Sequence, residues 1–216
     1  MQKNTRVKIH VPKTKEVLTR HILTNDPSPW VSRFIPLITP GGLVLDLAAG
    51  GGRHGRLLIN QGFQTVFIDH NTNALEDLIK ADKAKIITSD LETGIDPFSS
   101  NGPLNAMTFD AIIVVNFLHR PLFSGLINAL TPGGVLIYET FAVGNEKFAR
   151  PRNPDHLLRN GELLEKIDGK LQIIAYEHGR VDIADTPAVK QRICAINDLE
   201  LKTGPNDSPP VHTLYT

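Results

Sequence analysis

The chain reads as an α/β protein: a doubly wound, mainly parallel seven-stranded sheet closed by an antiparallel C-terminal hairpin strand. Three observations predict this. Apolar runs such as Phe109–Val115 lack alternation, as expected of strands covered on both faces. Strands and helices alternate from Leu43 to Thr140, the pattern of βα units in a parallel sheet. Two strands then follow one another, Leu171–Glu177 and Ala188–Ile196, with no helix between them, which predicts a hairpin. The length of 216 residues suits one domain with small additions.

The elements follow in order. Residues 1–25 form a polar arm, with a short helix over Lys15–Leu23. The domain spans 26–200. Asp26-Pro27-Ser28-Pro29 is a turn. Trp30–Ile38 reads as an amphipathic helix stopped by Pro40-Gly41-Gly42. Strands are expected at Leu43–Ala48, Gln64–Asp69, Lys85–Thr88, Phe109–Val115 and Val135–Thr140. Helices are expected at His54–Gln61, Thr72–Ala81 and Pro121–Leu130, and after a charged loop at Glu162–Ile167. The stretch 201–216, rich in Pro and Gly, reads as a loose tail.

Composition narrows the function classes. The formal net charge is zero, which argues against nucleic acid as a partner. No apolar stretch is long enough to span a membrane. The N-terminal residues are basic but lack the apolar core of a secretory signal. Cys194 is the single cysteine, so no internal disulfide forms and no thiolate cluster holds a metal. A reducing cytoplasm fits this, and the thiol is expected to be buried and inert.

The chemistry is expected at the run from Leu43 to Gly55. An apolar strand ends in Asp46, then turns through Ala48, Gly50 and Gly52 into a helix opening with Arg53. Glycines let the backbone approach a ligand, and the helix start offers free N–H groups. Gly50 to Gly55 also satisfies the dinucleotide pattern. Asp69, followed by His70, ends the second strand, where a carboxylate accepts ribose hydroxyls. Asp90, followed by Leu91, lies just past the third strand. Three acids along the strand ends match an ammonium, a ribose and an adenine amine. S-adenosylmethionine (SAM) carries all three; a nicotinamide dinucleotide leaves Asp46 and Asp90 without a task.

On these motifs the chain resembles the class I SAM-dependent methyltransferases over roughly residues 30–197, a Rossmann-like fold. Asn116–Leu122, Tyr138–Phe141 and Gly144-Asn145 resemble the bacterial branch related to tellurite-resistance methyltransferases. The resemblance implies SAM as cofactor, S-adenosylhomocysteine as product, and a small-molecule methyl acceptor. The cofactor would lie against Asp46, Ala48, Gly50, Gly52, Arg53, Asp69, His70, Asp90, Leu91 and Asn116. No Asn-Pro-Pro-aromatic motif follows Asn116, which lowers base methylation as a reading.

His119 and Arg120 follow the fourth strand. His119 is a candidate general base, and Arg120 a candidate holder of an anionic acceptor. Glu139 at the end of strand five could orient either. Trp30, Arg33 and Arg150 are candidate acceptor contacts from covering segments. No metal site is expected. An NAD-dependent oxidoreductase and a non-catalytic SAM-binding protein are the competing readings.

Overall fold

The computed structural model describes residues 26–182 and 187–214. The expected arm over 1–25, its Lys15–Leu23 helix included, lies outside these residues. The seven strands are β1 (Leu43–Leu47), β2 (Gln64–Asp69), β3 (Ala84–Thr88), β4 (Phe109–Val115), β5 (Leu130–Phe141), β6 (Gln172–Val181) and β7 (Ala188–Ile196). They form one sheet in the order β3-β2-β1-β4-β5-β7-β6. The first five are parallel; β7 runs antiparallel to both β5 and β6. The doubly wound sheet and its terminal hairpin are therefore as the sequence predicts.

The order in which strands are added reverses between β1 and β4, which are themselves parallel. The chain winds outward from β1 to β3, then returns to β4 on the other side. In such sheets ligands bind outside the carboxyl ends at that switch point. Both faces of the central strands are buried. Leu45, Leu47, Ile112 and Val114 pack on one side with Leu126 and Tyr138. Val44, Ala111, Ile113 and Ile137 pack on the other with Trp30, Phe34 and Cys194. The α-helices among the described residues are α1 (Pro29–Phe34), α2 (Arg53–Asn60), α3 (Phe123–Asn128) and α4 (Glu162–Ile167). No helix among the described residues is long and apolar enough to cross a membrane.

Several boundaries differ from expectation. The Trp30–Ile38 helix keeps α geometry only to Phe34 and continues as a 3₁₀ turn, because Pro36 has no N–H to donate. The helix expected over Thr72–Ala81 is a 3₁₀ segment, Asn73–Leu78. Leu75 is its one buried side chain, so it has no apolar stripe to dock a longer helix. Helix α3 is shorter than Pro121–Leu130: Leu130 instead pairs with Phe109 and opens β5. The described part of the segment expected as a loose tail makes contacts with the domain. His212 Nε2 lies 2.6 Å from Asp198 Oδ2, and Gln172 Nε2 donates to the Pro210 carbonyl at 3.1 Å.

Candidate active site

The turn from β1 to α2 is wound by three left-handed residues, Ala48 (φ 56°), Gly50 (54°) and Gly52 (71°). Its glycines divide by purpose. A Cβ on Gly52 would lie 2.5 Å from Leu75 Cδ2, and one on Gly55 2.1 Å from Phe67 Cε1. Those two glycines let α2 sit against β2. A Cβ on Gly50 or Gly51 would meet nothing within 4 Å. Packing does not require them, since a side chain there would enter open space. Ala48 holds a conformation that costs an L-residue roughly 1 kcal/mol. Ala48→Gly is therefore expected to raise stability by about 1 kcal/mol, read as a shifted urea midpoint with unchanged slope. A lower midpoint would contradict the strain.

The three acids stand along the carboxyl edge, each with a different environment. Asp46 is 2% exposed, and its Oδ2 accepts from the Gly55 N–H at 2.9 Å. Burial raises its pKa to about 7 against that hydrogen bond and the charge of Arg53. The first task of this carboxylate is thus to cap α2. Asp69 accepts from Gly50 N at 2.8 Å and Asn71 N at 2.9 Å, with His70 Nδ1 3.0 Å away. It pins the glycine turn to the end of β2, and each oxygen retains a lone pair. Asp90 is exposed and closes its own turn through Thr93 Oγ1 (2.6 Å) and Glu92 N (2.9 Å). Those bonds hold it below the usual carboxylate range. Leu91 beside it is buried.

Several candidates have tasks other than those expected. Trp30 is 3% exposed in the core and donates Nε1–H to the Ile193 carbonyl at 3.3 Å. Arg33 pairs with Glu177 on β6 and lies over the Trp30 and Phe34 rings. Neither lines the cavity described below, because α1 docks its apolar face on the sheet. Arg120 binds Glu162 through Nε (2.7 Å) and Nη2 (3.0 Å), and donates to the carbonyls of Asp155 and Leu157. Its donors fix the loop after β5 in place of an anion. Glu162 is fully buried; burial opposes its charge, but Arg120 and the Arg159 N–H bring its pKa down to about 2. Glu139 orients neither His119 nor Arg120. It is 1% exposed and meets Lys190 Nζ at 2.6 Å, Arg192 Nε at 3.1 Å and Ser28 Oγ at 3.0 Å. Burial opposes its ionisation, yet the two cations and the hydroxyl hold it below the usual range.

This buried polar group is not evident in the sequence. Its signal is Lys190-Gln191-Arg192 inside an otherwise apolar strand, on a register that sets Arg192 opposite Glu139. His54 belongs to it as well. Its Nε2 accepts from Ser28 N at 3.2 Å, and burial with the Arg53 charge drives its pKa to about 3. Arg53 itself donates to the Asp26 carbonyl at 2.8 Å. Cys194 is fully buried, and burial pushes its thiol up to about 12, so it is inert.

Beyond the ends of β4 and β5 lies a cavity of about 290 Å³. Phe117, Leu118, Phe141 and Pro151 form apolar walls. Asn116, Thr140, Arg150, His156 and Glu92 supply the polar lining. Asn116 stands at the end of β4 with φ 59°, its N–H bonded to the Glu139 carbonyl at 2.8 Å. His119 is half-buried three residues on and does not line the cavity.

No family model matches the chain, and no curated protein matches it in sequence. Solved structures do match. TehB from Haemophilus influenzae aligns with a TM-score of 0.63 at 17% identity, over 77% of this chain and 61% of TehB. The N-methyltransferase NodS from Bradyrhizobium japonicum WM9 gives 0.57 at 15%, over 77% and 93%. The glycopeptide N-methyltransferase MtfA, complexed with S-adenosylhomocysteine, gives 0.55 at 16%, over 80% and 90%. NodS has likewise been solved with S-adenosylhomocysteine. The fold is that of the class I SAM-dependent methyltransferases. This chain spans about three fifths of TehB.

Proposed function

We propose that the protein binds SAM across the β1–β4 crevice and transfers its methyl group to a small-molecule acceptor. The observation that carries this is the divided glycine turn. Gly50 and Gly51 are left open by packing, beside a carboxylate at the end of β2. The capture of S-adenosylhomocysteine by NodS and MtfA, which share the fold, favours SAM over a nicotinamide dinucleotide.

The residues present fit this cofactor. Asp69 would accept the ribose hydroxyls through its remaining lone pairs. Leu91 and the Asp90 turn would meet the adenine. Ala48 to Gly52 would bring backbone against the methionine portion, with Asp46, His70 and Asn116 around it. Bound SAM supplies a sulfonium methyl as electrophile. The chain's own contribution is alignment and exclusion of water, both sizeable contributions to methyl transfer. A single buried thiol suits a reducing, cytoplasmic setting.

Calorimetric titration with S-adenosylhomocysteine, SAM and NAD tests the reading. Binding of the first two in preference to NAD is expected. Asp69→Ala should weaken S-adenosylhomocysteine by about 1–3 kcal/mol, because two hydroxyls lose their acceptor. No binding at millimolar ligand, or tighter binding of NAD, would overturn it.

A further inference from the structure

The buried charges behind the cavity have a consequence for what the cavity selects. Lys190 is held at 8% side-chain exposure, with Nζ 2.6 Å from Glu139 Oε1 and 2.9 Å from Asn116 Oδ1. An ammonium only donates, so the Asn116 oxygen must face Lys190. The amide NH₂ then points away from Lys190, on a residue that lines the cavity. That NH₂ has no partner among the described residues, nor does the guanidinium of Arg150 on the same lining. Asn116 keeps a left-handed backbone of the kind retained where a site over-determines it. Around these donors the walls are aromatic and aliphatic. Glu92 is the one carboxylate on the lining, and it is exposed at the rim.

Building on the proposed methyl transfer, we propose that Lys190 and Glu139 set the Asn116 amide as a fixed donor. With Arg150 it selects a small organic carboxylate carrying an apolar body. Asn116 and Arg150 take the carboxylate; Phe117, Leu118 and Phe141 take the body. Lys190 is a positioning residue, since it acts through Asn116. Arg120, which gives four hydrogen bonds to Glu162 and two carbonyls and does not line the cavity, is not the anion's partner.

The test uses the full chain saturated with S-adenosylhomocysteine and four probes: phenylacetate, neutral phenylacetamide, cationic phenethylamine and inorganic sulfate. Phenylacetate is expected to bind at least tenfold more tightly than the other three. Arg150→Gln should weaken it about tenfold without changing S-adenosylhomocysteine affinity. Asn116→Asp keeps an acceptor for Lys190 but turns a lone pair outward, so the order of phenylacetate and phenethylamine should invert. Lys190→Met should narrow the preference for phenylacetate over phenylacetamide. A merely structural role would not reorder ligands of one shape. Equal binding of phenylacetamide, or an unchanged order in Asn116→Asp, overturns the inference. Sulfate binding as tightly as phenylacetate overturns the apolar body. S-adenosylhomocysteine binding is measured first, so failure there falls on the methyltransferase reading instead.

Discussion

Glu162→Gln is expected to lower stability by about 3 kcal/mol at pH 7 and to shrink the acid limb of the stability profile. Glu162 is fully buried and takes two bonds from Arg120 and one from the Arg159 N–H. Removing one partner of a buried pair leaves the other uncompensated, at roughly 3–5 kcal/mol; Arg120 retains 32% side-chain exposure, which favours the lower end. The pH dependence has a definite sign. The folded carboxylate titrates near 2, below its ordinary value of 4.5 in the unfolded chain. Its contribution is therefore fully present above about pH 4.5 and lost as pH falls toward 2. The wild type should lose stability across that window more steeply than the variant. Glu139 and Asp90 are shifted the same way and keep part of the slope. Asp46 runs opposite, since burial raises it to about 7: its carboxyl favours folding below pH 4 and loses that advantage as pH rises toward 7. Urea unfolding at pH 7 and at steps between 5 and 2.5 measures both quantities. A loss under 1 kcal/mol with an unchanged slope would show that the pair is not a strut. The functional consequence is local. Arg120 ties the carbonyls of Asp155 and Leu157, so the variant should loosen the wall that carries Arg150, Pro151 and His156.

Gly55→Ala is expected to destabilise the fold by about 3 kcal/mol and to weaken S-adenosylhomocysteine with it. The new methyl would stand 2.1 Å from Phe67 Cε1 and 2.4 Å from Cζ, inside a fully buried ring. Overpacking a rigid core commonly costs 1–3 kcal/mol, and this contact lies at the severe end. Relief requires α2 to move off β2. That movement draws the Gly55 N–H from Asp46 and displaces the turn that Asp69 pins. Phe67→Leu, added to Gly55→Ala, removes the clashing ring atoms and should recover more than half of the loss. Equal loss in single and double variants would place the cause elsewhere. Gly50→Ala, at a site with open space, should leave packing intact. Its cost arises from the backbone at φ 54°.

Much of the fold is legible in consecutive residues. Unbroken apolar runs locate the strands, because a strand buried on both faces has no polar alternate. Asp69 is legible at the end of β2 because strand and turn are local. The glycine turn is legible too, but its division of labour is not. Gly52 and Gly55 answer to Leu75 and Phe67, which come from later segments. Trp30 reads equally as a lid or as core until α1 is docked on the sheet. Arg120 and Glu162 lie 42 residues apart, so no local pattern joins them. The hydrogen bond that turns the Asn116 amide comes from 74 residues away.

By itself the sequence determined the order of the strands and the edge that carries the strand-end acids. Periodicity, turn chemistry and strand-end acids are short-range properties, carried in a few consecutive residues. The tertiary structure alone decided which charged groups support the fold and which face the cavity. A carboxylate or guanidinium looks the same in sequence whether it is buried in a pair or open to a ligand. The difference is made by partners that folding brings together, and by the burial that forces each charge to have one.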